Sequence, residues 1–157
     1  MTDTIIGASP IQQKLYDHLS RHVEDEREVL LAYEALAGST ESEAFKYMAS
    51  LILEDERRHH QVLADLAKAV RSSAELSRDP SPIPYLDIYK DRESIIAATD
   101  RLLKVEDEDR RQLKALAKEL EGFEDTTLWS LMVKLMQADN DKHRMILRLV
   151  RKNARKA

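Results

Sequence analysis

Glu56 and His59 interrupt an apolar stripe, and their types and spacing could do chemistry. Residues 53–60 read LEDERRHH, and Glu56 and His59 fall in register with Ile52 and Leu63. Because residues three or four apart share one face of a helix, both side chains are predicted to face inward. A carboxylate and an imidazole together suit iron or manganese as a bound metal. The alternative interpretation is a surface pair within a charged run.

Carboxylates also break the apolar period on the other three predicted helices. Glu26 interrupts the first, Glu106 the third, and Asp139 with His143 the fourth. Each helix therefore carries a core stripe with a carboxylate near its middle. Charged neighbours compete for two of these positions, and they are Glu24, Glu28 and Glu108. The candidate metal ligands are Glu26, Glu56, His59, Glu106, Asp139 and His143.

Four inward carboxylates are costly to bury without a compensating charge. Removing an ionised carboxylate from water costs several kcal/mol even after relaxation, and four in one layer also repel one another. No lysine or arginine has a clear position for pairing in this layer, and Lys142 and Arg110 come nearest. Two divalent or trivalent ions neutralise all four carboxylates at once. The sequence therefore predicts a dinuclear site of iron, with manganese as the alternative.

Helix-capping signals divide the chain into four predicted helices. Ser9 with Gln12, and Thr40 with Glu43, have the spacing of capping boxes. Gly38 fits the C′ position beyond the end of the first helix. The predicted helices are about 10–37, 41–71, 91–121 and 126–153.

The connections predict how these helices pair. Helices 1 and 2, and helices 3 and 4, are joined by about four residues, so each pair is expected to form an antiparallel hairpin. The segment 72–90 contains Pro80, Pro82 and Pro84 and is long enough to run the length of a bundle. The predicted fold is all-α, an antiparallel four-helix bundle in one domain, residues 1–157, with this segment as a long crossover. A short connection giving an up-down-up-down bundle is the alternative.

Composition excludes several classes of function. The 157-residue chain has no cysteine, which excludes disulfides, thiolate zinc sites and iron–sulfur clusters. Its net charge of −4 gives no reason to expect nucleic acid as a partner. No apolar stretch reaches the roughly 20 residues that span a bilayer, and no signal peptide is evident. We therefore expect a cytoplasmic protein without a membrane partner.

The first pair of predicted helices resembles rubrerythrin-like members of the ferritin-like superfamily. The matching stretches are HVEDEREVLLAYEALA and LILEDERRHHQVL. Residues 56–59 match the Glu-x-x-His motif of that family, and Glu26 followed seven residues later by Tyr33 resembles its first-helix pattern. The resemblance implies a non-haem di-iron or di-manganese carboxylate protein that oxidises Fe(II) or reduces dioxygen or peroxide, as a ferroxidase or peroxidase does. A homodimer is expected for this kind of bundle.

The second half of the chain departs from that family pattern. The Glu-x-x-His register places a glutamate at the position of Asn140. Asp139 and His143 are the available substitute, four residues apart on a shared face, so one metal ion is expected to bind tightly and the second weakly. VEDE occurs at 23–26 and again at 105–108, and EDERRHH is echoed by DNDKHR, which fits a duplicated hairpin.

Two other functions remain open from the sequence alone. The first is a ferritin-like bundle without catalysis that serves as a binding or assembly module, and Asn140 is its best support. The second is hemerythrin-like oxygen binding, which also uses histidines and carboxylates on four helices. That family's histidine-rich ligation uses a His-x-x-x-Glu order and more inward histidines than can be placed in this sequence.

Overall fold

The chain is helical through nearly all of its described length. The computed structural model describes residues 3–75, 81–84, 91–122 and 127–156, and no strand occurs in these ranges. The prediction of an all-α fold with four helices is confirmed. These helices are α1 (Pro10–Ser39), α2 (Glu43–Ala74), α3 (Arg92–Leu120) and α4 (Thr127–Lys156).

The chain divides into two compact units, Met1–Tyr85 and Leu86–Ala157. α1 packs with α2 in the first unit, and α3 packs with α4 in the second. This pairing is the one that the short connections predict, and we call the units the first hairpin and the second hairpin. Residues 76–80 and 85–90 of the predicted crossover lie outside the described residues.

Side-chain caps begin both helices of the first hairpin. The hydroxyl of Ser9 accepts a hydrogen bond from the backbone N–H of Gln12, and the Gln12 side chain accepts one from the N–H of Ser9. This is the predicted capping box. α2 is capped by Ser42, which accepts from the backbone N–H of Phe45. The second cap therefore lies two residues beyond the predicted one.

Gly38 lies inside α1 rather than beyond its end. α1 continues to Ser39, and its C-cap residue Thr40 has an extended backbone with φ −88° and ψ 145°. No left-handed residue is needed at such an end. The prediction of Gly38 as the C′ residue is therefore wrong.

This shift of the turn places Glu26 and Glu56 at the same depth. Counted from Gly38, the two lie 12 residues before and 18 after, which is a mismatch of one or two turns. Counted from the helix ends, Glu26 lies 13 residues before Ser39 and Glu56 lies 13 residues after Glu43. Each is then about 20 Å along the helix axis from the turn, at the usual rise per residue. The turn thus aligns the two glutamates.

Apolar layers lie on both sides of this level in the first hairpin. Short side chains at the seam let two helices approach closely, and several of the buried residues of α2 are alanines. The buried residues of α1 and α2 are Leu19, Ala49, Leu53, Ala67 and Ala74.

The residues before α1 contact the end of the first hairpin that lies opposite its turn. Ile5 is 3% exposed, and its N–H donates to Oε1 of Gln13 over 2.9 Å. Gly7 has a positive φ of 85°, and a Cβ at this position would lie 3.1 Å from the backbone oxygen of Ala74. A glycine therefore allows the chain to turn here against the end of α2.

The second hairpin has an apolar seam with a polar middle. Asn140 and Arg144 of α4 are buried, and they separate two apolar regions of the seam. Near the C-terminal end of α4, Arg151 lies 3.1 Å from Asp100 of α3. Among the described residues of the second hairpin, the buried apolar ones are Leu103, Leu113, Val133 and Ala154.

Candidate metal centre

Glu26, Glu56 and His59 converge in the first hairpin. α1 supplies Glu26, and α2 supplies Glu56 and His59 about one turn apart. One carboxylate oxygen or imidazole nitrogen from each side chain lies within 4.8 Å of the other two. The structure thus brings together three of the six predicted ligands as a mixed oxygen and nitrogen donor set.

The spacing of these three atoms is close to what a single metal ion requires. Metal–ligand distances of about 2.0–2.2 Å allow two ligand atoms of one ion to lie up to about 4.4 Å apart. The three ligand atoms lie within 4.8 Å of one another, so each pair has to approach by at most about 0.4 Å to bind one ion. His59 Nδ1 and Glu56 Oε2 are 3.6 Å apart and already meet this condition.

One carboxylate oxygen of the cluster is buried without a donor. Glu26 Oε2 is shielded from solvent and accepts no hydrogen bond from the described residues. Leaving a buried acceptor unsatisfied costs free energy, and the cost is larger for a charged group. A proton shared with Glu56 or a bound cation removes this cost. The donor set therefore fits a metal ion.

The pKa of Glu26 also reflects the absence of a donor or cation at its carboxylate. It is raised from the ordinary value of 4.5, first because the side chain shares a hydrogen bond with Glu56, and then because of burial and the negative charge of Glu56. The positive charges of His59 and His22 act in the opposite direction on this pKa. Glu26 thus retains its proton to higher pH than an isolated glutamate, and a cation that binds has to displace it.

The cluster is open to solvent on the side of His59. The Glu56 side chain is 21% exposed and the His59 side chain 53%. Leu53 next to them on α2 is buried and Leu63 is half-buried. Small solutes can therefore approach from one side, as a catalytic metal site requires and a closed structural site does not.

The second hairpin places Asn140 where the first has Glu56. Asn140 is 2% exposed, and its Nδ2 donates to Oε2 of Glu106 over 2.7 Å and to the backbone oxygen of Glu106 over 2.9 Å. The same nitrogen lies 3.3 Å from Oδ2 of Asp109. His143 Nδ1 is 3.4 Å from the other carboxylate oxygen of Glu106. One oxygen of this inward carboxylate thus accepts from a protein donor, while Oδ1 of Asn140 is buried without a hydrogen-bond partner among the described residues.

Arg144 adds an internal positive charge beside this network. Its buried guanidinium lies 2.8 Å from Oδ1 of Asp107 and 3.5 Å from Oδ1 of Asp141. Arg110 on α3 lies 3.9 Å from the same oxygen of Asp141. The acidic residues in the middle of the second hairpin therefore have protein cations as partners.

Asp139 does not join Glu106 and His143. Its side chain is exposed and forms an ion pair with Lys142 on the same helix. Successive residues of a helix lie about 100° apart around its axis. With Asn140 at the inward position, Asp139 faces sideways. Of the three residues predicted for this half of the site, the structure brings Glu106 and His143 together.

Solvent exposure distinguishes the inward glutamates from their neighbours that competed for the ligand role. Glu26 and Glu106 are half-buried, so each is the member of its group that faces the partner helix. A hydrogen bond from Gln112 and the charge of Arg111 hold the pKa of Glu108 below its ordinary value. The exposed competitors are Glu24, Glu28 and Glu108.

Two further inward residues were missed by sequence reasoning. His60 is half-buried, and its Nδ1 is buried without a hydrogen-bond partner in the described part of the chain. Arg144 occupies the matching place in α4. Each lies four residues after an inward residue, Glu56 or Asn140, and this spacing alone puts it on the same helix face.

Comparison with known proteins does not assign a function to this chain. No protein-family model, curated protein or solved structure matches the chain. The resemblance to rubrerythrin-like proteins, the cytoplasmic location and the homodimer therefore stay predictions. Among the described residues, no helix has both the length and the apolar character to cross a membrane.

Proposed function

We propose that the first hairpin binds iron, or manganese in its place, through Glu26, Glu56 and His59, and that the chain is a non-haem iron carboxylate protein. Its activity is the oxidation of Fe(II), coupled to the reduction of dioxygen or peroxide. The observation that carries the proposal is the convergence of these side chains around a buried Glu26 oxygen that no described residue satisfies. Carboxylate and imidazole donors suit both metals.

Each residue of the cluster has its own role in this proposal. Glu26 and Glu56 supply the negative charge that holds the cation, and a proton held by Glu26 is released when it binds. His59 supplies a nitrogen donor on the exposed side, where a small oxidant approaches. A bound metal ion supplies the one-electron redox chemistry that these side chains lack.

The electron balance of the reaction is simple when iron is the substrate. Two Fe(II) ions become Fe(III) and give two electrons to one peroxide, which takes up two protons and leaves as two waters. With dioxygen, four Fe(II) ions and four protons yield two waters. The open side near His59 admits either oxidant, while buried Leu19 and Leu53 keep solvent out of the adjacent seam.

The second hairpin offers a weaker set of ligands. Glu106 and His143 are available, but the amide of Asn140 already donates to Glu106. An ion that binds at this position has to break that hydrogen bond. It also has the neutral amide of Asn140 as a neighbour, where the first hairpin has the carboxylate of Glu56. We therefore propose one tightly bound ion per chain, at the first hairpin, and a second that binds weakly.

Metal titration of matched variants tests the proposal. Protein is titrated with Fe(II) without oxygen, and the retained metal is counted after gel filtration. Glu56→Ala removes a ligand, and we expect the affinity to fall by roughly 100-fold, or about 3 kcal/mol. Glu54→Ala removes an exposed carboxylate two residues earlier on α2 and should bind as the wild type does. Binding that survives Glu56→Ala unchanged, or no stoichiometric binding at all, would overturn the proposal.

A second candidate function is a helical module without catalysis that binds a partner or supports assembly. The second hairpin favours it, because Asn140 donates to the inward Glu106 there and the buried Arg144 pairs with Asp107. Addition of Fe(II) in air separates the two candidates. An oxidase develops the near-ultraviolet absorbance of Fe(III) faster than buffer does, and Glu56→Ala does not. A module without catalysis matches the buffer rate even when the metal is bound.

A further inference from the structure

Two exposed histidines lie on α1 immediately before the Glu26 cluster. His18, Arg21, His22 and Asp25 line a surface depression with a volume of about 260 Å³. All four side chains are exposed, so none of them is needed for the apolar seam of the first hairpin. Asp25 directly precedes Glu26 in the sequence. The structure therefore presents a polar depression next to the proposed metal ligands.

The two imidazoles lie close enough to reach one metal ion by side-chain rotation. Their ring centroids are 6.2 Å apart, and the ring planes are tilted by 37°. A metal–nitrogen distance of about 2.1 Å plus a ring radius of about 1.1 Å puts each ring centre about 3.2 Å from a bound ion. Two rings on one ion are then at most about 6.4 Å apart when they lie on opposite sides of it, and about 5.2 Å apart at a tetrahedral angle. The observed separation therefore has to shorten by about 1 Å, which rotation of two exposed side chains allows without a change in the backbone.

We propose that His18 and His22 chelate a divalent transition-metal ion, and that this surface site loads the Glu26 cluster. Residues four apart on a helix share a face, which puts both imidazoles on the same side of α1. Paired imidazoles favour iron, zinc, copper and nickel over magnesium and calcium. Because both rings are already exposed, no buried contact is broken when the ion binds.

Arg21 shares the depression and opposes a cation there. Its Nε donates to the backbone oxygen of Asp17 over 3.2 Å, which directs the group toward the preceding turn of α1. This leaves the two imidazoles as the groups that meet an ion. Arg21 thus provides a control: Arg21→Gln removes an opposing charge and no ligand, so it should leave the site intact or make it bind more tightly.

Chelation is tested in a chain whose Glu26 cluster is disabled. Glu56→Ala, or Glu56→Gln if the alanine variant is unstable, is titrated with Zn²⁺ by calorimetry and with Cu²⁺ by electron paramagnetic resonance. We expect one bound ion with the spectral splitting of two nitrogens. Adding His18→Gln and His22→Gln should weaken binding by at least about tenfold and remove that splitting, whereas adding Arg21→Gln should not. Equal binding with and without the two histidines would overturn the chelate.

The loading role rests on the proposed function and is tested by rate. In a chain with Glu56 intact, His18→Gln with His22→Gln should slow uptake of Fe(II) by the cluster by roughly tenfold, as loss of a local ion-concentrating group does, without lowering the final count there. Unchanged uptake would overturn the loading role. If the cluster takes up no iron while Zn²⁺ still binds the histidine pair, the proposed function fails and the chelate stands.

Discussion

Single residues decide how each hairpin satisfies its inward carboxylate. Glu26 faces Glu56, and its buried Oε2 has no donor among the described residues. Glu106 faces Asn140, which donates to it over 2.7 Å. A carboxylate paired with a carboxylate needs a proton or a cation, whereas one paired with an amide does not. This difference is why we propose tight metal binding at the first hairpin.

Glu26→Gln should change how the stability of the metal-free protein depends on pH. The pKa of Glu26 is raised in the folded state, chiefly by the hydrogen bond with Glu56, so the folded chain binds this proton more tightly than the unfolded chain. The stabilisation is complete below the ordinary value of 4.5 and is lost as pH rises through the raised pKa. The amide does not ionise, so the variant should lack this decline. Thermal unfolding in a series of buffers from acidic to neutral pH measures it.

Glu24→Gln provides the control, because Glu24 is exposed on the same helix. It should keep the decline of the wild type. Iron affinity of the wild type should also fall as the pH is lowered, since the proton and the cation compete for Glu26. Identical pH profiles for the wild type and Glu26→Gln would contradict a proton shared between Glu26 and Glu56.

Asn140→Ala should destabilise the second hairpin. The substitution leaves a carboxylate oxygen and the backbone oxygen of Glu106 without the donor they have now. An unsatisfied buried polar group costs about 1–3 kcal/mol, and we expect a loss of about 2 kcal/mol in the free energy of unfolding. Asn153→Ala removes a more exposed amide on α4 that bonds Leu149 over 2.8 Å. Denaturant unfolding should show a clearly smaller loss for that control, and equal losses would argue against the role of Asn140.

At the scale of elements, the residues before α1 help to close the first hairpin. Ile5→Ala should lower the free energy of unfolding by about 2 kcal/mol, because a buried isoleucine side chain leaves a cavity when it is shortened. Ile6 is the matched control, since the adjacent isoleucine is 85% exposed and its substitution should cost less than about 0.5 kcal/mol. Denaturant unfolding of both variants measures the difference. A similar cost at both positions would mean that this segment is not held against the hairpin.

The repeated VEDE sequence shows that identical elements of sequence need not take equivalent positions. In the first copy Val23 is half-buried, whereas Val105 in the second is 58% exposed. The inward glutamate is the last residue of the first copy, Glu26, but the second residue of the other copy, Glu106. The register of a helix depends on its whole apolar stripe, so four residues do not determine it.

For the molecule as a whole, Asn140 is expected to limit the number of tightly bound ions. Asn140→Glu restores the Glu-x-x-His spacing with His143 beside Glu106, and the bound iron should rise from about one to about two ions per chain. Without metal, the added buried carboxylate should lower the thermal stability, and Fe(II) should restore it by linkage. Metal counting and thermal unfolding with and without Fe(II) measure both effects.

Asn153→Glu adds the same charge to α4 at a position away from Glu106, and it should change neither the metal count nor the response to Fe(II). An Asn140→Glu protein that stays destabilised in Fe(II), with an unchanged metal count, would show that the second hairpin cannot form the site.

The sequence by itself determined the parts that depend on local periodicity and caps. Four helices, the cap at Ser9, and the inward position of Glu56 follow from spacing along one helix, which 3.6 residues per turn impose on any chain. It also identified Asn140 as the point of departure in the second half. His60 and Arg144 follow from the same spacing and could have been predicted.

Only the tertiary structure decided which side chains meet. The alignment of Glu26 with Glu56 depends on a turn beginning after Ser39 rather than at Gly38. The hydrogen bond from Asn140 to Glu106, and the exclusion of Asp139 from it, depend on how two helices are rotated against each other. A helix fixes the faces of its own residues, but contacts across a seam depend on the ends, rotation and packing of both helices.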